Sequence, residues 1–439
     1  MRGIQSALMV VLTLVLLSPN VQSQEKRALE LTDIMQFRQI GSPAISDNGN
    51  WVAHASVPDR GDPDVLVYST DGEISFTIPL GDKPVISSDE QWVAAVRSVP
   101  AEELEKPGNS RGNANGNLEW NNRMGSLAFL AGETEDEKRL HCVRSCARLY
   151  LWKPGVEAAA LQRCDPPKGW LIHHTNKLQW SKDGERLFMG IKPESEIVQE
   201  KEKADSVADL FDREAILAGR TVDVWHWDDP YINPNQKKRW KKEKDRVYTG
   251  VFYPDRERFV PLADQKMPGI MVGESENYVV GYSNVPYAKR RTWDGRYNDY
   301  YLVDLVTGDR RLVLEEQQHG VSLSPDGKKM VYFREGNWHL VDAERFEAVT
   351  LTTGLGVPFV NEDWDYPADL PGYGVAGWFD QSEAVWIYDK YDIWAFDTSA
   401  GEAECVTEGE GRSRRNHSHG AMRSWLSGCR SMESRYRGS

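Results

Sequence analysis

Cysteine, net positive charge and long hydrophobic runs are scarce in this sequence of 439 residues. It has five cysteines, 67 acidic against 53 basic residues, and a formal net charge of −14. Five cysteines are too few for a disulfide-built scaffold in so long a chain. The acidic balance disfavours nucleic acid or anionic lipid as a general partner. Because 40% of the residues are hydrophobic and 10% aromatic, we expect a large packed core.

The longest apolar run lies near the N-terminus. Residues 7–17 are apolar and uncharged, Arg2 precedes them, and Val21-Gln22-Ser23 resembles a cleavage site. The run is shorter than the roughly 20 residues that a membrane-spanning helix needs. Residues 1–23 are therefore predicted to be a cleaved secretory signal, with a retained anchor as the alternative. The mature protein is expected to be periplasmic or extracellular, without a transmembrane segment.

Residues 24–41 are predicted to contain a short helix. Apolar residues recur at near-helical spacing from Leu31 to Phe37, after a possible cap at Thr32. This spacing predicts an amphipathic helix over residues 32–40, which ends before Gly41.

One sequence phrase then recurs along the chain. It consists of a small or apolar strand, a Ser, one or two turn residues, and a second apolar strand. Asp-Gly or Asn-Gly at the apex tolerates the positive φ that a tight hairpin needs. Each copy therefore predicts an antiparallel hairpin. The copies lie at 44–53, 85–94, 178–188 and 321–333, with degenerate ones at 273–280 and 377–386.

Strand pairs of a second kind lie between these hairpins. Residues 65–68 and 74–78 flank Asp71-Gly72, residues 300–304 and 311–314 flank Thr307-Gly308, and residues 393–396 precede Ala400-Gly401. Two hairpins per unit make four strands every 40 to 50 residues, which is typical of a propeller blade. We therefore predict an all-β fold: a β-propeller of seven or eight four-stranded blades over residues 42–409, a short N-terminal helix and a disordered C-terminal tail.

Several of these segments together resemble a known family. Leu29–Met35, the repeated Ser-x-Asp-Gly hairpins, Val222–Pro230 and Tyr391–Trp394 are similar to the N-terminal propeller half of exported bacterial serine peptidases of the prolyl oligopeptidase family. The resemblance extends across residues 26–410. It implies a propeller that filters substrates for a C-terminal α/β-hydrolase domain with a Ser, Asp and His triad.

The sequence lacks the nucleophile that this family would require. A nucleophile elbow reads Gly-x-Ser-x-Gly, and the nearest approach, Gly273-Glu274-Ser275-Glu276-Asn277, has no second Gly. Too few residues follow Gly409 for a hydrolase domain. No catalytic residue is assigned, and this chain alone is expected to be inactive as a peptidase.

Residues 410–439 differ in composition from the rest of the chain. They are rich in Arg and Ser and lack a sustained apolar period. A frameshifted or prematurely ended reading frame would explain the change, and a genuine basic tail for anionic surfaces is the alternative. The nucleotide sequence around the codon for Gly411 tests this hypothesis, because truncation predicts an intact hydrolase in another frame.

The cysteine and histidine residues that could form a metal or catalytic site have ordinary structural interpretations. Cys142, Cys146 and Cys164 with His141 lack the paired spacing of structural zinc, so a local disulfide or free thiols are expected. His173, His174 and His226 have no carboxylate partner at motif spacing and are interpreted as strand-edge or core residues. No metal or cofactor is predicted.

Three charged or polar segments are interpreted as surface features. Lys237–Lys242 contains an aromatic residue inside a basic run, the minimal pattern of a nucleic-acid contact, but it is interpreted as a solvated connection. Residues 101–120 are predicted to be a polar insertion and residues 196–219 a charged helical insertion. Glu362 and Asp363 could hold a substrate amino terminus, although an ordinary polar loop is favoured.

Three functions from different classes follow from these observations. The first is the substrate-filtering propeller of a prolyl oligopeptidase-like secreted serine peptidase, present without its catalytic domain. The second is a stand-alone periplasmic propeller that binds peptides or a protein partner at one face. The third is an enzyme whose active site lies in the propeller itself; a sialidase-like version is disfavoured because the hairpin at Ser46 departs from the Asp-box spacing. The resembling segments favour the first.

Overall fold

The fold is that of a computed structural model, which describes residues 28–97, 100, 117–131, 147–156, 162–173, 176–196, 226–343, 345–366, 368–379, 382–399 and 401–414. These residues form two compact units. The first is built mainly from residues up to 84, and the second from residues 85–96 and from residue 112 onward. As predicted, the chain is mostly β. The number of blades and their closure into a ring remain predictions.

The first unit contains one short helix and one four-stranded sheet. Helix α1 (Leu31–Gln36) begins with a capping box in which Glu30 and Asp33 each accept the other's backbone N–H. The predicted helix over 32–40 was wrong at both ends, since Glu30 is the N-cap and residues 38–40 lie in a strand. No residue of α1 is buried, so packing does little to stabilise a longer helix. Residues 38–40 instead pair with β2 in the sheet.

The sheet of the first unit is a four-stranded antiparallel meander in sequence order. Its strands are β1 (Arg38–Ile45), β2 (Trp51–Pro58), β3 (Asp64–Ser69) and β4 (Ser75–Pro79). The hairpin predicted across Asp71-Gly72 is present, with Val67 opposite Phe76. Ala53, Ala55, Val65 and Val67 on one face are almost fully buried.

The second unit repeats the same antiparallel pattern. A two-stranded sheet contains β5 (Gly81–Ile86) and β6 (Val93–Arg97), of which residues 85–86 and 93–96 belong to this unit. The second sheet contains β7 (Leu118–Asn121), β8 (Ser126–Ala131), β9 (Arg148–Trp152) and β10 (Gln162–Cys164). The third contains β11 (Trp170–Leu171), β12 (Gln179–Trp180), β13 (Leu187–Pro193), β14 (Tyr248–Tyr253) and β15 (Arg258–Pro261). The fourth contains β16 (Gly269–Met271), β17 (Tyr278–Ser283), β18 (Asn298–Asp304) and β19 (Arg310–Gln317). The fifth contains β20 (Val321–Leu323), β21 (Lys329–Arg334), β22 (Asn337–Asp342) and β23 (Ala348–Thr350). The sixth contains β24 (Val375–Phe379), β25 (Ala384–Tyr388), β26 (Ile393–Asp397) and β27 (Ala403–Cys405).

Consecutive sheets of the second unit pack face to face. Successive residues of a strand point to opposite faces, and on β17 Val279 packs against the third sheet while Val280 packs against the fifth. On β21 the same alternation sends Met330 towards the fourth sheet and Phe333 towards the sixth. Sheets buried on both faces in this way explain the unusually apolar strands in the sequence.

Tryptophan indoles link strands of successive sheets. The Nε1–H of Trp120 donates to the carbonyl of Val85 at 3.3 Å, and that of Trp180 donates to the carbonyl of Glu119 at 3.2 Å. Trp378 donates to the hydroxyl of Ser322 at 2.9 Å. A buried indole N–H needs a partner, and here the partner always lies in a preceding sheet. These bonds join a strand of each sheet to a strand of the sheet before it.

The Ser-x-Asp hairpins share one hydrogen-bonded turn. The hydroxyl of Ser324 donates to Asp326 at 2.5 Å and accepts the N–H of Lys329 at 2.9 Å. Gly327 at the apex has a φ of 73°, a conformation that favours glycine. Equivalent turns occur at Ser69, Ser87 and Ser181. The predicted hairpins are therefore confirmed. The hydrogen bonds that close each of these turns are all made within six consecutive residues.

Replacing Ser324 with alanine should lower the free energy of unfolding by about 1–3 kcal/mol, because the part-buried N–H of Lys329 loses its acceptor. Urea titration measures the change, with the exposed Ser399, which also bonds an Asp, replaced by alanine as the control. A variant as stable as the parent would contradict this role of the turn.

The same turn predicts a pH dependence. Burial raises the pKa of Asp326, but hydrogen bonds from Ser324, Lys328 and Ser382 outweigh it and hold that pKa below 3.8. A carboxyl with a lowered folded-state pKa contributes stability above its unfolded pKa and loses it as the pH falls through the folded value. The difference between the parent and the Ser324→Ala variant should therefore be largest above pH 3.8 and shrink below it.

One helix of the second unit was not predicted. Helix α2 (Asn233–Glu243) contains the basic run 237–242, which was interpreted as a solvated connection without a predicted helix. Pro234 in its first turn and the pairing of Arg239 with Glu243 one turn later stabilise a helix there. The predicted helical insertion at 196–219 lies outside the described residues except for its first, and of the polar insertion only 117–120 are described, mostly within β7.

Candidate functional site

The two ends of the sheets in the second unit differ in their connections. In an antiparallel meander the first and third connections lie at one end, and the second connection and the exit to the next sheet lie at the other. The first end, the turn end, is closed by tight turns such as those at Ser181 and Ser324. The second, the loop end, has the long connections 194–247, 284–297 and 351–374. Functional residues concentrate on such loops when a rigid scaffold positions them.

The turns of the turn end contact one another in sequence order. The hydroxyl of Ser88 donates to the carbonyl of Asn122 at 3.1 Å, and the amide of Asn121 donates to the carbonyl of Gly184 at 2.6 Å. The N–H of Asp326 donates to the hydroxyl of Ser382 at 3.2 Å. These hydrogen bonds join the turns of neighbouring sheets, so the turn end has a structural role.

Large aromatic side chains are exposed on the connections of the loop end. Trp227 is 87% exposed and Trp293 72% exposed. Trp240, Trp364 and Tyr366 are also exposed, and the last two rings lie 5.4 Å apart. Tryptophan and tyrosine are enriched where proteins bind partners, because one rigid ring supplies a large apolar contact at low entropic cost. The loop end is therefore the candidate functional site.

Ion pairs join neighbouring connections at this end. Lys289 pairs with Asp228 of the preceding connection and lies 5.4 Å from the ring of Trp227. Arg290 pairs with Asp294 at 2.6 Å and with Glu316 at 2.7 Å. The hydrogen bonds that Arg290 donates to Glu316 and Asp294 raise its pKa further above its usual range. The ion pair between Lys289 and Asp228 thus joins the connection of the third sheet to that of the fourth sheet.

A buried carboxylate supports the connection 284–297. Asp299 accepts the hydroxyl of Tyr287 at 2.5 Å and the N–H of Glu316 at 3.0 Å. Burial, followed by the bond to Asp299, raises the pKa of Tyr287 to about 12. Tyr287 therefore stays protonated at neutral pH, donates to Asp299 and accepts the N–H of Glu316 at 3.1 Å, which fixes the position of Glu316 and through it that of Arg290.

Two connections meet beside Arg290. Its guanidinium lies 4.5 Å from the centre of the Tyr297 ring. A Cβ added at Gly295 would lie 3.3 Å from the amide nitrogen of Gln318. Asp369 acts electrostatically on both Tyr297 and His319. Burial lowers the pKa of His319, against the opposing effect of Asp369, so the imidazole is neutral at pH 7.

The acidic pair Glu362 and Asp363 is occupied by a lysine of the same unit. The ammonium of Lys390 lies 2.9 Å from Asp363 and 3.6 Å from Glu362. The bond to Asp363 raises the pKa of Lys390. A substrate amino terminus would have to displace Lys390, so this geometry supports the structural interpretation of the pair.

A second acidic pair fixes the end of the sixth sheet. Asp389 and Asp392, in the β25–β26 connection, are almost fully buried. Arg412 pairs with Asp389 at 2.9 Å, and Asp392 accepts the N–H of Gly411 at 2.9 Å. These bonds dock helix α3 (Glu410–Arg414), so the first residues of the predicted disordered tail are folded. Residues 415–439 lie outside the described residues.

The remaining sequence candidates occupy structural positions. Ser275 is buried in the β16–β17 turn, where its hydroxyl accepts the N–H groups of Asn277 and Tyr278. His173 is buried, whereas His226 is exposed and accepts the N–H of Asp228. Cys164 is a buried free thiol whose pKa is raised to about 12 by burial and nearby carboxylates. His141, Cys142, Cys146 and His174 lie outside the described residues.

Within the described ranges, no three metal-ligating side chains come together. Each helix in those ranges is too short or too polar to cross a bilayer.

The sequence matches no protein-family model and no curated protein. Among solved structures, it is similar to a prolyl endopeptidase (TM-score 0.31, 13% identity, 84% of this chain and 42% of that one). It is also similar to an acylaminoacyl peptidase of Pyrococcus horikoshii (0.30, 12%, 85% and 46%) and to TolB from Acinetobacter baumannii (0.27, 11%, 71% and 54%). The chain thus spans about half the length of these proteins. With TM-scores near 0.3, its function has to be argued from its own residues.

Proposed function

We propose that the loop end of the second unit binds peptides or an unfolded protein segment, as the substrate-filtering propeller of a prolyl oligopeptidase-like serine peptidase would. The observation that supports this proposal is the concentration of exposed tryptophan and tyrosine at the end opposite the tight turns. Polypeptides bind such surfaces because rings bury apolar side chains while neighbouring charged groups hold the backbone or side chains by hydrogen bonds.

Catalysis is not part of this proposed function. The one serine in a sequence that approaches an elbow, Ser275, uses its hydroxyl to accept two backbone N–H groups of its own turn. An acylating serine needs a base within hydrogen-bond reach and separate oxyanion donors. We therefore expect binding without hydrolysis from this chain alone.

Binding is measured with the full chain and a pool of fluorescent peptides about ten residues long, by anisotropy. Replacing Trp227, Trp293 and Tyr366 together by serine should weaken binding about tenfold or more, because aromatic anchors dominate such interfaces. The control replaces Val306 and Val349, which are exposed outside the loop end, by serine and should bind like the parent.

The same samples are incubated with a serine-directed fluorophosphonate probe. No stoichiometric labelling is expected. Labelling of one serine that is lost on unfolding would contradict the proposal of a binding module, as would peptide binding that is unchanged in the triple variant.

A further inference from the structure

Two neighbouring connections of the loop end are basic, although the chain as a whole is acidic. Residues 226–247 and 284–297 contain eleven basic and five acidic residues, whereas the whole chain has a formal net charge of −14. Lys289 joins the two connections, because it pairs with Asp228 and lies 5.4 Å from the centre of the Trp227 ring. Together these two connections are the basic surface.

The carboxylates of the basic surface are bonded within it. Four of the five acidic residues have partners in the same two connections: Asp228 pairs with Lys289, Glu243 with Arg239 and Arg246, and Asp294 with Arg290, and Asp229 accepts the N–H of His226. These bonds also fix the positions of the side chains that make them. The bonded carboxylates are therefore already shared with cations of the surface itself.

Basic side chains remain after this pairing. Four of them are exposed and have no ion-pair partner among the described residues: Lys238, Lys242, Arg291 and Arg296. Lys238 and Lys242 are four residues apart on α2, so they lie on the same helix face. Arg291 and Arg296 lie on either side of Trp293 in the chain, and the N–H of Trp293 donates to the carbonyl of Arg290 at 3.1 Å. The basic surface thus presents positive charge that the described part of the chain leaves unpaired.

Exposed tryptophan rings accompany these charges. Trp227 is 87% exposed, Trp293 72% and Trp240, on α2, 53%. Tryptophan and arginine are the residue types that most often dominate binding energy at interfaces. A guanidinium binds a carboxylate through two parallel hydrogen bonds, and such charge-assisted bonds are stronger than neutral ones. The combination fits a partner that carries carboxylates beside apolar side chains.

We infer that the basic surface makes the loop end selective for acidic peptides, in which Asp or Glu side chains alternate with apolar ones. The inference rests on the proposed peptide binding and adds its charge specificity. The tryptophan rings bury the apolar side chains, and Lys238, Lys242, Arg291 and Arg296 bind the carboxylates. Complementary charge also suppresses the binding of basic peptides.

The test uses the full chain and three fluorescent peptides of about ten residues with blocked termini, which differ only in carrying Glu, Gln or Lys at the same three positions. The Glu peptide should bind about tenfold more tightly than the Gln peptide, and the Lys peptide more weakly than both. Raising the salt concentration from about 0.02 M to about 0.5 M should reduce the preference, because salt screens exposed charges.

Variants locate the selectivity. The double variants Arg291→Gln/Arg296→Gln and Lys238→Gln/Lys242→Gln should each reduce the preference for the Glu peptide severalfold. The control, Arg256→Gln/Arg258→Gln, removes two exposed positive charges at the β14–β15 turn, which lies at the turn end. It changes the net charge by the same amount and should retain the preference.

The outcomes separate this selectivity from the proposed function. Equal, measurable binding of the three peptides would overturn the selectivity and leave peptide binding intact. A preference that persists in both double variants would also overturn it, by placing the selectivity elsewhere. Binding of phosphatidylglycerol vesicles without any preference for the Glu peptide would overturn it in favour of an anionic membrane as the partner. Failure of the parent to bind any of the three peptides or the peptide pool would overturn both proposals.

Discussion

Replacing Asp392 with alanine is expected to lower the free energy of unfolding by about 3–5 kcal/mol. The carboxylate is 1% exposed and accepts the hydroxyl of Thr407 at 2.8 Å and the N–H groups of Gly411 and Arg412 at 2.9 and 3.3 Å. The Asp392→Ala change leaves these donors without their acceptor, and it weakens the attachment of α3 to the sixth sheet. The partner guanidinium of Arg412 is partly exposed, so its loss of pairing adds little to this cost.

The measurement is the urea unfolding midpoint, followed by tryptophan fluorescence. Asp392→Asn keeps one acceptor oxygen and should cost clearly less. The control is Arg414→Ala, which removes an exposed pair with Glu410 on the same helix and should change stability by about 0.5 kcal/mol or less. A midpoint for Asp392→Ala equal to that of the control would refute the docking role of this carboxylate.

The second large effect is expected for Phe333→Ala, at about 3–5 kcal/mol. Phe333 is 1% exposed and lies in the cluster between the fifth and sixth sheets. Its ring is 5.3 Å from that of Trp338 and 5.8 Å from that of His319. Removing the ring loses the favourable free energy of burying its apolar surface. It also leaves a cavity that the rigid neighbouring strands fill only in part.

Phe37→Ala is the matched control, because that ring is 55% exposed in the first unit. It should shift the urea midpoint only slightly. A Phe333→Ala protein that unfolds at the parental midpoint would mean that the fifth and sixth sheets do not depend on this contact.

Features that depend on local interactions were predictable from the sequence, whereas those that depend on long-range contacts were not. The hairpins at 178–188 and 321–333 were predictable because each turn is closed by a Ser hydroxyl, an Asp carboxylate and backbone N–H groups within six residues. The helix at the basic run 237–242, which was interpreted as a solvated connection, was missed, although Pro234 and the spacing of Arg239 and Glu243 were usable helix signals. The docking of Arg412 was missed because its partners, Asp389 and Asp392, gave no motif that links them to it.

The sequence by itself determined the all-β class, the positions of the hairpins and the lack of a serine nucleophile elbow. These properties depend on strand periodicity, on glycine at positive φ and on the spacing within short motifs, all of which are local. Only the tertiary structure decided that Arg290, Tyr297 and Gln318 lie together. Antiparallel pairing places alternate connections at the same end of each sheet, and face-to-face packing of consecutive sheets then brings together connections that are far apart in the chain.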